Sequence, residues 1–388
     1  MKIGIVTIHN SPNYGACLQS YALYKYLEQQ GLDVEIIDLH RPIANEDYVP
    51  SKKYIASRVP KKSNSAKFKT WVKQILGVKH TTASLYSEEA LAKFEEFNSV
   101  INLSRPYKGI DELYDNPPIY DLYISGSDQL WNPTQAYCIE PYFLTFVPKG
   151  QGKKISFATS IGITDLRENE KENFKKWLES YDSISVREKQ AQNLLQELMP
   201  NKKIEQVADP TFLLSPDYWK KLAVTPKTKG YILMFTLKHN PTILDYCLKI
   251  GNESGLRVVV LGQIQPDCID DSYEAVKDAG PKEFIGYIAN AEMVITDSFH
   301  CTVFSLIMGA KNFYTYIAPT NKRGSRIVDL LKTYNLEKHL LPKSLDLPYN
   351  DLLLNAINRF NVVSFMEKER NRSSDFIKNN TKKDLSNE

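Results

Sequence analysis

From the first residue, short apolar runs alternate with stretches of helical periodicity, the pattern of parallel βα units. Lys2 to Ile8 reads as a strand and Leu18 to Gln29 as a helix, with Leu18, Ala22, Leu23, Tyr26 and Leu27 on one face. Gly31 stops that helix, and Val34 to Leu39 is the next strand. Later strands are expected at Leu122 to Ser125, Lys154 to Ala158, Ile184 to Val186 and Val207 to Ala208. A second set begins with Tyr231 to Leu237, then Arg257 to Leu261, Met293 to Thr296 and Asn312 to Tyr316. Periodic helices lie between, notably Glu168 to Tyr181, Glu188 to Leu198 and Ile243 to Asn252. Ser215-Pro216 and Pro226-Lys227-Thr228-Lys229-Gly230 are loop chemistry, so the break between the sets falls in 214–230. The pattern predicts an α/β fold of two Rossmann-like domains with a central cleft: 1–222 with an insertion at about 41–118, then 223–345. A helical tail, 346–388 with apolar Leu352, Leu353, Ile357 and Phe360, is expected to pack across the domain junction.

Length agrees, since 388 residues exceed one ordinary core. A hydrophobic share of 42% and a charged share of 24% argue against general disorder. The net charge of +3 is too small to imply nucleic-acid binding. Cys17, Cys138, Cys247, Cys268 and Cys301 are scattered without a CxxC pair, against both a disulfide framework and a structural zinc site. The chain opens directly into a strand, and no run reaches the ~18 apolar residues of a membrane span, so a cytoplasmic protein is expected. One insertion alters that picture. Between Ser51 and His80 stand nine Lys or Arg and no acid, interleaved with Phe68, Trp71, Val72, Ile75 and Leu76. Two readings stay open: a solvated basic insertion, or a peripheral contact through 51–80 with an anionic inner-membrane face or a lipid diphosphate.

Ligands of open α/β sheets bind outside the carboxyl ends of the strands, and polar residues gather there. Met293 to Thr296 feeds Asp297-Ser298-Phe299-His300 and a helix, so His300 stands near a helix N-terminus. It can donate to an anion or move a proton, or it can merely cap the helix. The strand before Ser125 ends in Gly126-Ser127-Asp128-Gln129-Leu130-Trp131-Asn132. There Asp128 can take a hydroxyl proton, Gln129 and Asn132 can hold hydroxyls, and Trp131 can stack on a sugar; a polar turn beside a buried Trp fits equally. Arg187 follows another strand, suited to bidentate recognition of carboxylate or phosphate or to pairing with Glu188. Arg323, Ser325 and Arg326, with Lys322 and Gly324, form either an anion pocket at a helix start or a solvated basic loop. The first strand runs into Asn13-Tyr14-Gly15-Ala16, where Gly15 permits close approach and Asn13 and Tyr14 are candidate ligand contacts. No GxGxxG occupies that turn, which argues against a nicotinamide cofactor, and HExxH, P-loop and GxSxG motifs and a convincing metal site are all missing.

Taken in order, Asn13-Tyr14-Gly15-Ala16-Cys17-Leu18-Gln19-Ser20-Tyr21-Ala22-Leu23, Ser125-Gly126-Ser127-Asp128-Gln129-Leu130-Trp131, Ser185-Val186-Arg187-Glu188, Ala208-Asp209-Pro210-Thr211 and Thr296-Asp297-Ser298-Phe299-His300 resemble the polysaccharide pyruvyl transferase family. The resemblance covers about residues 1 to 335, leaving out the basic insertion and the tail. It implies a glycosyltransferase-B-like enzyme that moves pyruvate from phosphoenolpyruvate onto two hydroxyls of a sugar in a surface-polysaccharide precursor. The products are a cyclic ketal and phosphate, with phosphoenolpyruvate as co-substrate and no cofactor. By resemblance Arg187 binds the donor and His300 is the active-site histidine; Ser298, Phe299, Arg323, Ser325 and Arg326 join the donor side. Asp128 is expected as the acceptor-side base, and Asn13, Tyr14, Gln129, Trp131 and Asn132 as acceptor contacts. The acceptor is a saccharide, and the basic insertion suits one carried on a lipid diphosphate. Many relatives have Gly-Asp where this chain has Gly15-Ala16, so no role of that aspartate transfers. Competing readings are a glycosyltransferase with a nucleotide-sugar donor and a non-catalytic sugar-binding protein of capsule assembly.

Overall fold

The computed structural model describes residues 1–39, 86–135, 138–262, 271–319 and 324–382. Within them the first sheet comprises β1 (Lys2–Val6), β2 (Asp33–Ile36), β3 (Leu122–Ser125), β4 (Lys153–Thr159), β5 (Ser183–Val186) and β6 (Ile204–Gln206). The second comprises β7 (Tyr231–Phe235), β8 (Arg257–Leu261), β9 (Glu274–Val276), β10 (Met293–Thr296) and β11 (Phe313–Thr315). Helices α1 (Tyr14–Gln29), α2 (Glu88–Asn98), α3 (Ile110–Asp115), α4 (Glu168–Leu178) and α5 (Lys189–Leu198) accompany the first sheet. Then come α6 (Pro216–Leu222), α7 (Pro241–Ser254), α8 (Pro281–Asn290), α9 (Phe299–Ile307), α10 (Ser325–Thr333), α11 (Tyr349–Leu354) and α12 (Arg359–Thr381).

Every strand pairing in both sheets is parallel. Strands flanked by helices on both faces must be apolar throughout, and β3, β7 and β10 are buried at every position. The orders are β2-β1-β3-β4-β5-β6 and β11-β10-β7-β8-β9. The direction in which successive strands are added therefore reverses between β1 and β3 in one sheet and between β7 and β10 in the other. Each reversal opens a crevice at the strands' carboxyl ends.

The halves share a packed floor beneath the cleft. Tyr14 of α1 stacks on Phe284 of α8 at 4.5 Å, and Trp219 of α6 meets Phe304 of α9 edge-on at 5.0 Å. Helix α2, from the insertion, also reaches the second domain: Lys282 pairs with Glu96 at 2.8 Å, and Lys93 Nζ donates to the Asp278 carbonyl at 2.9 Å.

The tail spans the junction. Leu352 of α11 accepts hydrogen bonds from Tyr314 Oη and Asn312 Nδ2 beside the second sheet. Helix α12 then returns to the first: Ser373 Oγ accepts from Ala208 N at 2.9 Å, Ser374 Oγ pairs with Tyr26 Oη at 2.6 Å, and Arg370 Nε donates to the Phe212 carbonyl at 2.8 Å. The apolar residues that suggested this helical tail are mostly not its buried ones. Leu353 and Phe360 are exposed, while Val362, Met366, Phe376 and Ile377 pack inward.

Several elements depart from expectation, three of them for a clear reason. Helix α1 starts at Tyr14 rather than Leu18, because the Asn13 side chain accepts from Ala16 N and caps it. β6 precedes Val207-Ala208, where Ser373 Oγ takes over Ala208 N and the chain leaves the sheet. β9, a three-residue edge strand, has too short a pattern to register.

Candidate active site

Side-chain hydrogen bonds hold each crevice in shape. At the first, Gln19 Nε2 donates to Thr7 Oγ1, Ile8 O and Ala16 O, while its Oε1 accepts from Ser127 N. One buried amide thus ties the loop after β1 to the loop after β3. At the second, Asp297 Oδ1 accepts from Leu237 N at 2.8 Å and joins the loops after β10 and β7. Ser298 caps α9 through Cys301 N, a structural task that accounts for its hydroxyl.

His300 lies in the first turn of α9 and crosses to the other domain. A Cβ on Gly15 would stand 2.2 Å from His300 Nδ1, so only glycine at the start of α1 admits the imidazole. On the ring's other side, Nε2 is 3.4 Å from Asp209 Oδ2 and has no hydrogen-bond partner. Asp209, wholly buried, follows β6 and is fixed by Thr211 N and Thr211 Oγ1. Its carboxylate also accepts from Arg187 Nη1 at 2.6 Å. Burial alone would push the Asp209 carboxyl up, but His300, Arg187 and the Thr211 hydroxyl hold it well below the usual carboxylate range.

Arg187 is the hub. Its Nε donates to Glu188 Oε1 at 3.1 Å, its Nη1 to Asp209, and its Nη2 lies 3.9 Å from Asp128 Oδ1 without a hydrogen-bond partner. The guanidinium sits over the Phe299 ring at 4.2 Å, and Arg326 covers the same ring at 5.3 Å. Burial opposes the charge on Arg187, but Glu188, Asp209 and Asp128 more than offset it and raise its pKa. Asp128 adopts a left-handed backbone (φ 68°), which aspartate tolerates better than most residues. Its carbonyl accepts from Leu130 N and Ser160 N.

The structure therefore brings together Arg187, His300, Asp128, Phe299 and Arg326 from two domains. Ser325 begins α10 in the residue before Arg326. Arg323, with Asn321 and Lys322, lies outside the described residues, as does the basic insertion 51–80.

The candidate acceptor contacts fare differently. Trp131 is fully buried, stacks on Phe143 at 5.3 Å and donates to the Tyr142 carbonyl, so it is core and offers no face to a sugar. Tyr14 is likewise core: its ring is enclosed by Tyr86, Phe94, Phe235 and Phe284, and its hydroxyl donates to Ala279 O. Asn132, fully buried, is spent on Thr134, whose N and Oγ1 both donate to its Oδ1. Asn13 is a helix cap. Gln129, with its amide oxygen turned to the second domain, accepts from Arg326 at 2.6–2.9 Å and links the two walls of the cleft. The sequence gives Asp209 no role of its own, and Gly15 only that of letting a ligand approach. Both stand in the quoted motifs, but nothing local says that they meet at His300.

A family model described as polysaccharide pyruvyl transferase matches residues 13–316, most of the chain. The protein belongs to the polysaccharide pyruvyl transferase family. The match takes in Asp128, Arg187, Asp209 and His300, and stops before α10, α11 and α12. No curated protein matches the chain. Solved structures are similar along nearly its whole length. Arabidopsis thaliana UGT89C1 complexed with quercetin is 10% identical, with 98% of this chain and 99% of that one covered and a TM-score of 0.51. The E. coli trehalose-6-phosphate structure bound with UDP-2-fluoro glucose is 10% identical, with 98% and 99% covered and a TM-score of 0.52. S. aureus MnaA with UDP is 12% identical, with 97% and 94% covered and a TM-score of 0.51. At such identities the likeness concerns the fold, which is that of the two-domain glycosyltransferase-B enzymes. As a family member the protein is a transferase of polysaccharide biosynthesis. Among the described residues no helix is long and apolar enough to cross a membrane, and no three His, Cys, Asp or Glu side chains are grouped to hold a metal ion.

Proposed function

We propose that the protein transfers pyruvate from phosphoenolpyruvate to two hydroxyls of one sugar in a surface-polysaccharide precursor. The observation that carries this reading is a pair of buried nitrogens left without a hydrogen-bond partner, Arg187 Nη2 and His300 Nε2, on two side chains that both reach Asp209, Arg187 through Nη1. Phosphoenolpyruvate is an anion that must be both held and protonated. A rigid arginine fork suits its carboxylate or phosphate, and an imidazole carried on a charged carboxylate suits delivery of a proton. The N-terminus of α9 adds its positive end to the same place.

The reaction needs a proton on the methylene carbon, which leaves positive charge at the neighbouring carbon. His300 is the proton donor and Arg187 the anion clamp. The first sugar hydroxyl adds to the cationic carbon, the carbon–oxygen bond to phosphate breaks, and the second hydroxyl closes the ketal. Of the two hydroxyl protons, one balances the proton gained by the methyl group and the other leaves on phosphate. Asp128, 3.9 Å from Arg187, is the acceptor-side base in this scheme. The saccharide would be presented on a lipid diphosphate at the inner membrane face, with the basic segment 51–80 as its peripheral contact.

Thermal unfolding with phosphoenolpyruvate, with UDP-sugars and with phosphate tests the donor. At ~100 times its Kd a ligand of the native state stabilises by about 2.7 kcal/mol. Stabilisation by phosphoenolpyruvate that phosphate alone does not reproduce is the expected result. Stabilisation by a UDP-sugar in its place would instead mean a nucleotide-sugar transferase. A second test addresses His300 without touching it. Gly15→Ala forces the imidazole out of a space too small for a methyl group. A displacement on the order of 1 Å costs about 10²-fold in rate, and unchanged turnover in this variant would refute the placement of His300.

A further inference from the structure

Phe299 can neither move a proton nor make a strong hydrogen bond, yet its ring touches three groups that can. Arg187 lies over it at 4.2 Å and Arg326 at 5.3 Å, both inside the ~6 Å reach of a cation–π contact. The His300 ring meets it edge-on, at 5.2 Å and 84°. These side chains come from three elements: Arg187 follows β5 of the first domain, Phe299 and His300 open α9, and Arg326 stands in α10. Phe299 is buried at the first position of α9, where the Ser298 cap fixes the start of the helix.

Two positive charges brought together in a buried site repel, and carboxylates are the usual remedy. Arg187 has that remedy in Asp128, Glu188 and Asp209. A carboxylate, however, occupies the N–H rim through which a guanidinium binds an anion. An aromatic ring does not. It attracts the cation through its own negative face, so the guanidinium is held flat and its rim stays in play. On Arg187 the rim atom Nη2 has no hydrogen-bond partner. Arg326 donates to the amide oxygen of Gln129 at 2.6–2.9 Å, a neutral acceptor that a charged ligand outcompetes. Leucine in place of Phe299 would supply apolar bulk but no such face.

We propose that Phe299 is a positioning residue of the donor site. Its ring holds Arg187 and Arg326 by their faces, so that both rims serve one small ligand carrying two anionic groups. The ring acts through the arginines and takes no part in the chemistry. The assignment rests on the pyruvyl-transfer reading above, in which the carboxylate and phosphate of phosphoenolpyruvate are those two groups.

Fluorination drains the negative face of a phenyl ring while changing its size little, so it separates a ring that holds cations from one that merely packs. The full chain is prepared with phenylalanine at position 299, with its mono-, di- and trifluoro analogues there, and as Phe299→Leu. Titration calorimetry then measures phosphoenolpyruvate, UDP-glucose and inorganic phosphate against each protein. Phosphoenolpyruvate should bind the wild type, lose affinity with every added fluorine, and bind Phe299→Leu about tenfold more weakly. The positioning role is overturned if Phe299→Leu binds it as well as wild type does. It is equally overturned if leucine weakens binding but the fluorinated series does not, because the ring then supplies only shape. Either result leaves phosphoenolpyruvate as the donor. If UDP-glucose or phosphate binds in its place and weakens along the series, the positioning role stands and the donor reading falls. If none of the three binds the wild type, both are overturned.

Discussion

His300→Ala should lower turnover by about 10²- to 10⁴-fold, the range for a positioned acid–base group. It should also lower the unfolding midpoint, since the buried imidazole leaves a void and Asp209 loses one of the partners that hold it charged. Asp209→Asn should fall in the same range while keeping the shape of the side chain and its place beside Thr211. If the two residues act as one unit, the double variant should be no slower than the slower single one. Independent roles would instead multiply the losses. Phosphate released from phosphoenolpyruvate in the presence of a saccharide acceptor is the readout. Near-normal turnover in His300→Ala would remove the histidine from the mechanism.

Arg187→Met should be the most damaging substitution for the fold. Within 3.9 Å the guanidinium meets the carboxylates of Asp128, Glu188 and Asp209, two of which are almost fully buried. Breaking a buried pair by removing one partner typically costs about 3–5 kcal/mol, which urea denaturation would register. The same variant should no longer be stabilised by phosphoenolpyruvate. Arg187→Lys would keep the charge but lose the fork, so it should recover more stability than donor binding. Acid response provides a further check. Asp209 is held below its unfolded value, so its contribution is complete above about pH 4, the ordinary aspartate range, and is lost as pH falls toward the folded value. With Arg187 gone the Asp209 carboxyl rises, and the extra loss of stability below that pH should shrink. A wild-type acid profile in Arg187→Met would mean that Arg187 does not set the charge of Asp209.

Much of this arrangement can be read from sequence because parallel strands buried on both faces announce themselves as apolar runs. The polar residues that end them, at Asp128, Arg187 and His300, are the ones that reach the cleft. Aromatic residues beside strand ends misled, because a ring that packs and a ring that stacks on sugar need the same neighbours in sequence. Trp131 and Tyr14 proved to be core, and only burial separates the two cases. The partners of charged groups were hidden for a different reason. Asp209 stands 22 residues after Arg187 and on a different domain from His300, so its role depends on how the sheets are set against each other.

The returning helix α12 bears on how the protein is made. Ala208 N and Tyr26 Oη, both in the first domain, find their partners on residues near position 373. Phe157, at the centre of the first sheet, lies 6.2 Å from Phe376. During synthesis the amino-terminal half leaves the ribosome with these groups uncovered and waits for the whole second domain before they close. The half that leaves first is therefore completed last, and a chain stopped anywhere before α12 would leave the first domain unfinished.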